Sequence, residues 1–116
     1  MDTAATGRQI VMSVHPQYAE AIMDGRKLVE FRKRPLAEDV SIVWVYATVP
    51  VQRVVGYFEV DVTVVARPRE LWRRFKNVGC IGRDAFDRYY LGAILGAGIL
   101  IKTATRLASP LPLNVL

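Results

Sequence analysis

Gly25-Arg26-Lys27-Leu28-Val29-Glu30-Phe31-Arg32 hands a glycine turn over to a strand that carries three spaced charges. Glycine accepts the left-handed backbone just past a helix end, so Gly25 reads as the stop of a preceding helix. From Lys27 to Arg34 (KLVEFRKR) the pattern alternates. Side chains two apart in a strand share a face. Val29 and Phe31 therefore turn to a core, and Leu28, Glu30 and Arg32 to the opposite side. Charges on a strand are ordinarily solvated, and exposed ion pairs there contribute about 0–1 kcal/mol. In a small, tightly curved sheet even the second face has little solvent, so Glu30 and Arg32 are expected to be partly buried and paired. Lys27 is expected at the strand's mouth, a flexible ammonium on the rim of the same cleft.

Working upstream, Gln9–Val14 (QIVMSV) has the β-branched content of a first strand. Residues 1–8 read as a loose polar arm ahead of a single domain over 9–116. His15-Pro16 opens a short helix, with Pro16 in its first turn and Tyr18, Ala19, Ile22 and Met23 on one face. Downstream, Val40–Thr48 (VSIVWVYAT) is apolar on both faces and reads as a central strand buried on two sides. Arg53–Ala66 is a long strand with Val54, Phe58, Val60, Val62 and Val64 toward the core. Gly56 inside it marks a bulge or a close backbone approach. A helix follows from Pro68, with Leu71, Trp72 and Phe75 as its buried stripe. A short helix then runs from Gly82 to Gly92, and Gly98–Leu107 is the last strand. The order is β-α-β-β-β-α-α-β. Long twisted strands with few helices tend to curl. The expected fold is α+β, a small mixed β-barrel of five or six strands with short helices covering its ends.

The chain has 116 residues, enough for one domain with its own core. One cysteine, Cys80, and one histidine, His15, exclude a disulfide framework and a structural zinc site. Neither a metal nor a cofactor is expected, and Cys80 reads as a small buried hydrophobe. The longest apolar run, Leu91–Ile101, has 11 residues, short of the ~20 needed to cross a bilayer. The chain's start lacks an apolar signal core. A soluble, cytoplasmic protein without membrane contact is expected. The net charge is +5, and arginine supplies twelve of the sixteen basic residues. Arginine grips phosphate with two prongs, so RNA or a nucleotide is the expected partner.

The opening stretch resembles the GxKxxExR signature of the ASCH domain, a branch of the PUA-like superfamily. Gly25, Lys27, Glu30 and Arg32 stand at its fixed positions. The likeness continues in order. Ser13-Val14-His15-Pro16-Gln17-Tyr18-Ala19 with Ile22 is similar to the family's first strand and helix. Tyr46-Ala47-Thr48 with Pro50, then Val54-Val55-Gly56-Tyr57-Phe58, is similar to its Y-x-S/T-x-P … I-V-G-x-F segment. Leu71-Trp72, then Phe86, Tyr89-Tyr90 and Gly92, then Pro110-Leu111 with Leu113, complete the series. The resemblance implies a PUA-like barrel with a cleft beside its first helix, lined or braced by the signature residues. It implies RNA as partner and a role in RNA metabolism or transcription-linked regulation.

The candidate ligand-binding residues are His15, Tyr18, Lys27, Glu30, Arg32, Tyr46, Thr48 and Tyr89. His15 is the chain's one imidazole, a candidate proton shuttle or phosphate contact at the cleft edge. Tyr18, Tyr46 and Tyr89 are stacking candidates, and Thr48 offers a hydroxyl. Arg69, Arg73 and Arg74 read as a solvated helix face. The alternative function is a small hydrolase, a ribonuclease or a modified-nucleoside amidohydrolase, using Lys27 and Glu30. Relatives that resemble acetylcytidine amidohydrolases carry threonine three residues after the lysine. Here that position is Glu30, so the motif holds no hydroxyl nucleophile.

Overall fold

A computed structural model describes residues 7–116. Most of the expected N-terminal arm, residues 1–6, lies outside the described residues, and Arg8 already opens the first strand. The elements follow the order read from the sequence: β1 (Arg8–Val14), α1 (Pro16–Met23), β2 (Val29–Arg32), β3 (Val40–Ala47), β4 (Arg53–Ala66), α2 (Pro68–Phe75), α3 (Arg83–Tyr89) and β5 (Gly96–Leu111), with a closing 3-10 turn over Leu113–Val115. Among the described residues, no helix is long and apolar enough to cross a membrane.

The strands form one mixed sheet in the order β1-β3-β4-β5-β2. β1 runs parallel to β3, and every other pair is antiparallel. The parallel pair requires a crossover, which α1 and β2 supply. The expected barrel is not closed: β1 and β2 are the two edges, and no ladder joins them among the described residues. β2 has four residues and pairs along one edge only, with β5. Just before it, the Arg26 and Lys27 N–H groups bond back to Ala21 of α1, and Pro35 follows shortly after it. One side chain crosses the seam instead: Arg32 Nη2 donates to the Ser13 carbonyl at 2.6 Å.

β4 and β5, separated in the chain by α2 and α3, make a long antiparallel ladder with register slips after Val54, Glu59 and Val60. The last slips undo the expected alternation, so Val62 is half exposed rather than in the core. At Gly56 both expectations hold. The register is irregular there, and a β-carbon would stand 2.2 Å from Met23 Sδ and 2.3 Å from the Thr105 carbonyl. α1 can sit this low on the sheet only over a glycine. β5 is longer than expected and includes Pro110. β2 pairs only with residues 97–100, so Pro110 faces an open edge where a missing N–H costs no ladder bond.

β3 departs from the two-sided burial expected of it. Val43, Val45 and Ala47 are buried, whereas Ile42, Trp44 and Tyr46 on the other face are half-buried. Trp44 shelters itself against Tyr57, with 4.8 Å between ring centroids, and donates its indole N–H to Gln9 at 2.9 Å.

Two apolar clusters flank β2. In one, Ala19, Ile22 and Met23 of α1 pack on Met12, Val14, Val43, Val45 and Phe58. In the other, Val29 and Phe31 meet Leu71 and Phe75 of α2 and Phe86 and Tyr90 of α3. Strand alternation then turns Glu30 and Arg32 away from the second cluster, toward α1 and the unpaired edge of β1.

Candidate functional site

A cavity of about 220 Å³ occupies the gap where the sheet fails to close. Val14 and His15 at the end of β1 form one wall, and Glu30, Phe31 and Arg32 of β2 the other. Tyr18 of α1 and Tyr89 of α3 flank it, and Lys27 is set into its floor.

Lys27 is not the flexible rim residue expected from its place after the glycine turn. It is 2% exposed. Gly25, at φ 78°, ends α1, and the Lys27 N–H returns to the Ala21 carbonyl, which turns the side chain inward. Its ammonium donates to the Gly79 carbonyl. It lies 5.1 Å and 5.3 Å from the ring centroids of Tyr18 and Phe31, within cation–π range. Glu30 Oε1 is 3.9 Å away. Gly79 brings its carbonyl this close because it lacks a side chain: a β-carbon there would stand 2.6 Å from the Phe31 ring. Burial pulls the Lys27 pKa below its ordinary value, and the Glu30 charge opposes the shift in part.

Glu30 is 6% exposed and bridges the two cations. Arg32 Nε donates to Glu30 Oε2 at 3.0 Å, while its Nη2 reaches Ser13. Arg32 is half-buried, with part of its guanidinium toward the cavity mouth. The expected partly buried Glu30–Arg32 pair is therefore present, with Lys27 as its third member. His15 is exposed on the rim, its ring 5.7 Å from Tyr18. Tyr89 stands on the opposite rim. Its hydroxyl accepts the Lys33 N–H at 3.1 Å, and the Lys33 ammonium lies 5.2 Å from its ring centroid. Burial raises the Tyr89 pKa.

Two candidates fall outside this group. Tyr46 lies on the sheet face opposite Val45 and Ala47, because alternation gives those two the inner side. Thr48 sits in the turn after β3, where its N–H bonds the Val14 carbonyl at 3.0 Å. It secures the end of β1 but does not line the cavity. The sequence reading missed the apolar lining of Val14, Phe31, Ile81 and Ala85, and the Gly79 carbonyl. Alternation could have placed Val14, but nothing local links Gly79 to Lys27.

The result is an apolar-walled pocket with a few convergent polar groups, the usual constitution of a small-ligand site. The buried ammonium and the guanidinium can donate to base, sugar or phosphate oxygens, and the carboxylate can accept from a base amine or a sugar hydroxyl. The amine's lowered pKa also makes its neutral, proton-accepting form easier to reach. Among the described residues, no group of three or more His, Cys, Asp or Glu could hold a metal ion.

The ASCH domain family model matches residues 12–96. The ASCH domain-containing ribonuclease of Zymomonas mobilis is 31% identical over 96 residues, covering 82% of this chain and 65% of the relative. Large ribosomal subunit protein uL22 of Ureaplasma parvum is 28% identical over 110 residues, covering 94% of this chain and 35% of the relative. The chain thus spans less than two thirds of the length of either curated relative. The crystal structure of ASCH from Zymomonas mobilis matches with a TM-score of 0.83 at 30% identity, covering 90% of this chain and 73% of that one.

Proposed function

The chain belongs to the ASCH domain family, and on that premise we propose that it binds single-stranded RNA, with part of one nucleotide entering the cavity between β1 and β2. The observation that carries the reading is the Lys27–Glu30–Arg32 chain, buried at Lys27 and Glu30 and half-buried at Arg32, set in the wall of an open pocket between two tyrosines. At about 220 Å³ the pocket is smaller than the roughly 300–1,000 Å³ of drug-sized ligand sites. It suits one base or one sugar, and a duplex would have to release a base to use it. Tyr89, at the rim, is placed to stack on the neighbouring base. The net charge of +5 favours encounter with a polyanion.

Cleavage is the second reading, favoured by the burial of Lys27 and by the name ribonuclease carried by the Zymomonas mobilis relative. RNA brings its own nucleophile, the ribose 2′-hydroxyl, so the missing hydroxyl of the motif is no obstacle. Neutral Lys27 takes the 2′ proton, the 2′ oxygen attacks phosphorus, and the 5′ oxygen leaves and is reprotonated by solvent. A 2′,3′-cyclic phosphate remains. Arg32 is the residue placed to hold the phosphate.

Fluorescence anisotropy with a labelled single-stranded RNA tests the binding reading. Affinity should fall linearly with salt on a log–log plot, by about 0.7 per phosphate engaged. Tyr89→Ala should weaken binding by about 1–3 kcal/mol, the usual range for a lost base–aromatic stack, and Tyr89→Phe should restore it. Absence of binding at low salt, or an inert Tyr89→Ala, would remove the reading.

A further inference from the structure

A second opening lies across α3 from the cavity, a groove of about 420 Å³ lined in part by Arg67, Arg69, Trp72 and Arg83. We propose that it holds the phosphates of the same RNA strand beyond the nucleotide in the cavity; this rests on the RNA reading above and extends it. α3 joins the two openings. Ala85 and Tyr89 border the cavity, while Phe86 and Asp87 border the groove. A helix is about 10 Å across with its side chains, so a strand that stacks on Tyr89 has only that ridge to cross.

The groove is charged for this occupant. Arg67 and Arg69 are exposed and carry no ion pair among the described residues. Arg83 is held by Asp87 at 3.1 Å and lies 5.1 Å from the centroid of the Trp72 ring. Asp87 is thereby neutralised, and the net charge left in the groove belongs to Arg67 and Arg69. Arginine grips phosphate oxygens with two donors, and a guanidinium plane is itself a surface on which bases stack. The three α2 arginines that share one reading in the sequence are distinct in the fold. Arg73 is tied to Glu70, and Arg74 lies 5.1 Å from the Phe75 ring centroid, outside both openings. Beyond the arginines, Leu91 and Ile94 are 85% and 82% exposed, held out by the turn at Gly92, whose φ is 81°. They form the outer wall that a strand in the groove would shelter.

The test compares oligouridylates of two and eight nucleotides on the wild type, the double variant Arg67→Ala/Arg69→Ala, Arg74→Ala and Tyr89→Ala. The wild type should bind the octamer more tightly and with a steeper salt slope. The double variant should bind the dinucleotide as the wild type does. On the octamer its salt slope should shrink by about 1.4, or 0.7 for each of two phosphates. Arg74→Ala should match the wild type on both. Equal wild-type affinity for the two lengths overturns the groove proposal and leaves the groove to an acidic protein segment. Equal losses from Arg74→Ala and the double variant overturn it in favour of diffuse surface charge. Failure of the cavity reading has a different signature: Tyr89→Ala then changes neither length.

Discussion

Glu30→Ala should lose about 3–5 kcal/mol of folding stability, the usual cost of stripping a buried ion pair of one partner. Among the described residues, Glu30 is the only acid lining the cavity, where it meets two cations. Its side chain is 8% exposed and that of Lys27 is 2% exposed. Truncation leaves the Lys27 ammonium buried without a counter-charge and frees Arg32 from the carboxylate that aims it at Ser13. The sign of the pH dependence follows. The Lys27 pKa is already lowered in the fold, and losing Glu30 lowers it further. Between the folded pKa and the ordinary lysine value, the unfolded chain binds the extra proton, so stability rises with pH across that window. The window is wider in the variant, and its deficit should narrow as pH rises. Urea melts of Glu30→Ala and Glu30→Gln at neutral and alkaline pH check this. Glu30→Gln keeps an acceptor for Arg32 Nε and should lose less. A Glu30→Ala protein that melts like the wild type would show that the three charges do not depend on one another.

On the cleavage reading, Lys27→Met should leave the chain folded and lower RNA cleavage by about 10²–10⁴-fold, the range for a lost general acid–base group. Methionine fills an irregular gap well, and Glu30 keeps Arg32 as its partner. Lys27→Ala is the poorer test, because deleting a fully buried chain opens a cavity costing about 2–5 kcal/mol. In the wild type, cleavage should climb with pH as Lys27 loses its proton. Burial places that rise below the range of an ordinary lysine. The Lys27→Met rate should be low and should lack that rise. Full cleavage by Lys27→Met, measured on end-labelled RNA, would remove the base assignment and leave RNA binding alone in question.

The element order was legible because strong punctuation sets it. Pro16 and Pro68 open helices, Gly25 and Gly92 close them, and period-two alternation divides β2 into a core face and a charged face. The Glu30–Arg32 pair was legible for the same reason, since two residues on one face of a short strand have few other partners. Lys27 was not. Its burial depends on the Gly79 carbonyl, 52 residues away, and on rings from α1 and β2. The open seam was hidden because no local pattern shows that β2 stops at Arg32 and leaves its second edge unpaired. Val62 was misplaced because register slips in β4 leave no mark on an unbroken run of alternating valines. Tyr46 and Thr48 belong to a stretch that resembles the family, yet Tyr46 lies on the outer sheet face and Thr48 in the turn after β3, away from the cavity.

On the RNA reading, the strand enters at the seam between β1 and β2, and an amide chemical-shift titration with a short single-stranded RNA locates the entry. The largest changes should cluster at His15, Tyr18, Lys27 and Tyr89, around the cavity, while the Trp44 indole N–H, bonded to Gln9 on the outer sheet face, stays in place. Changes centred on Trp44 and Tyr57, with the cavity amides unmoved, would contradict it.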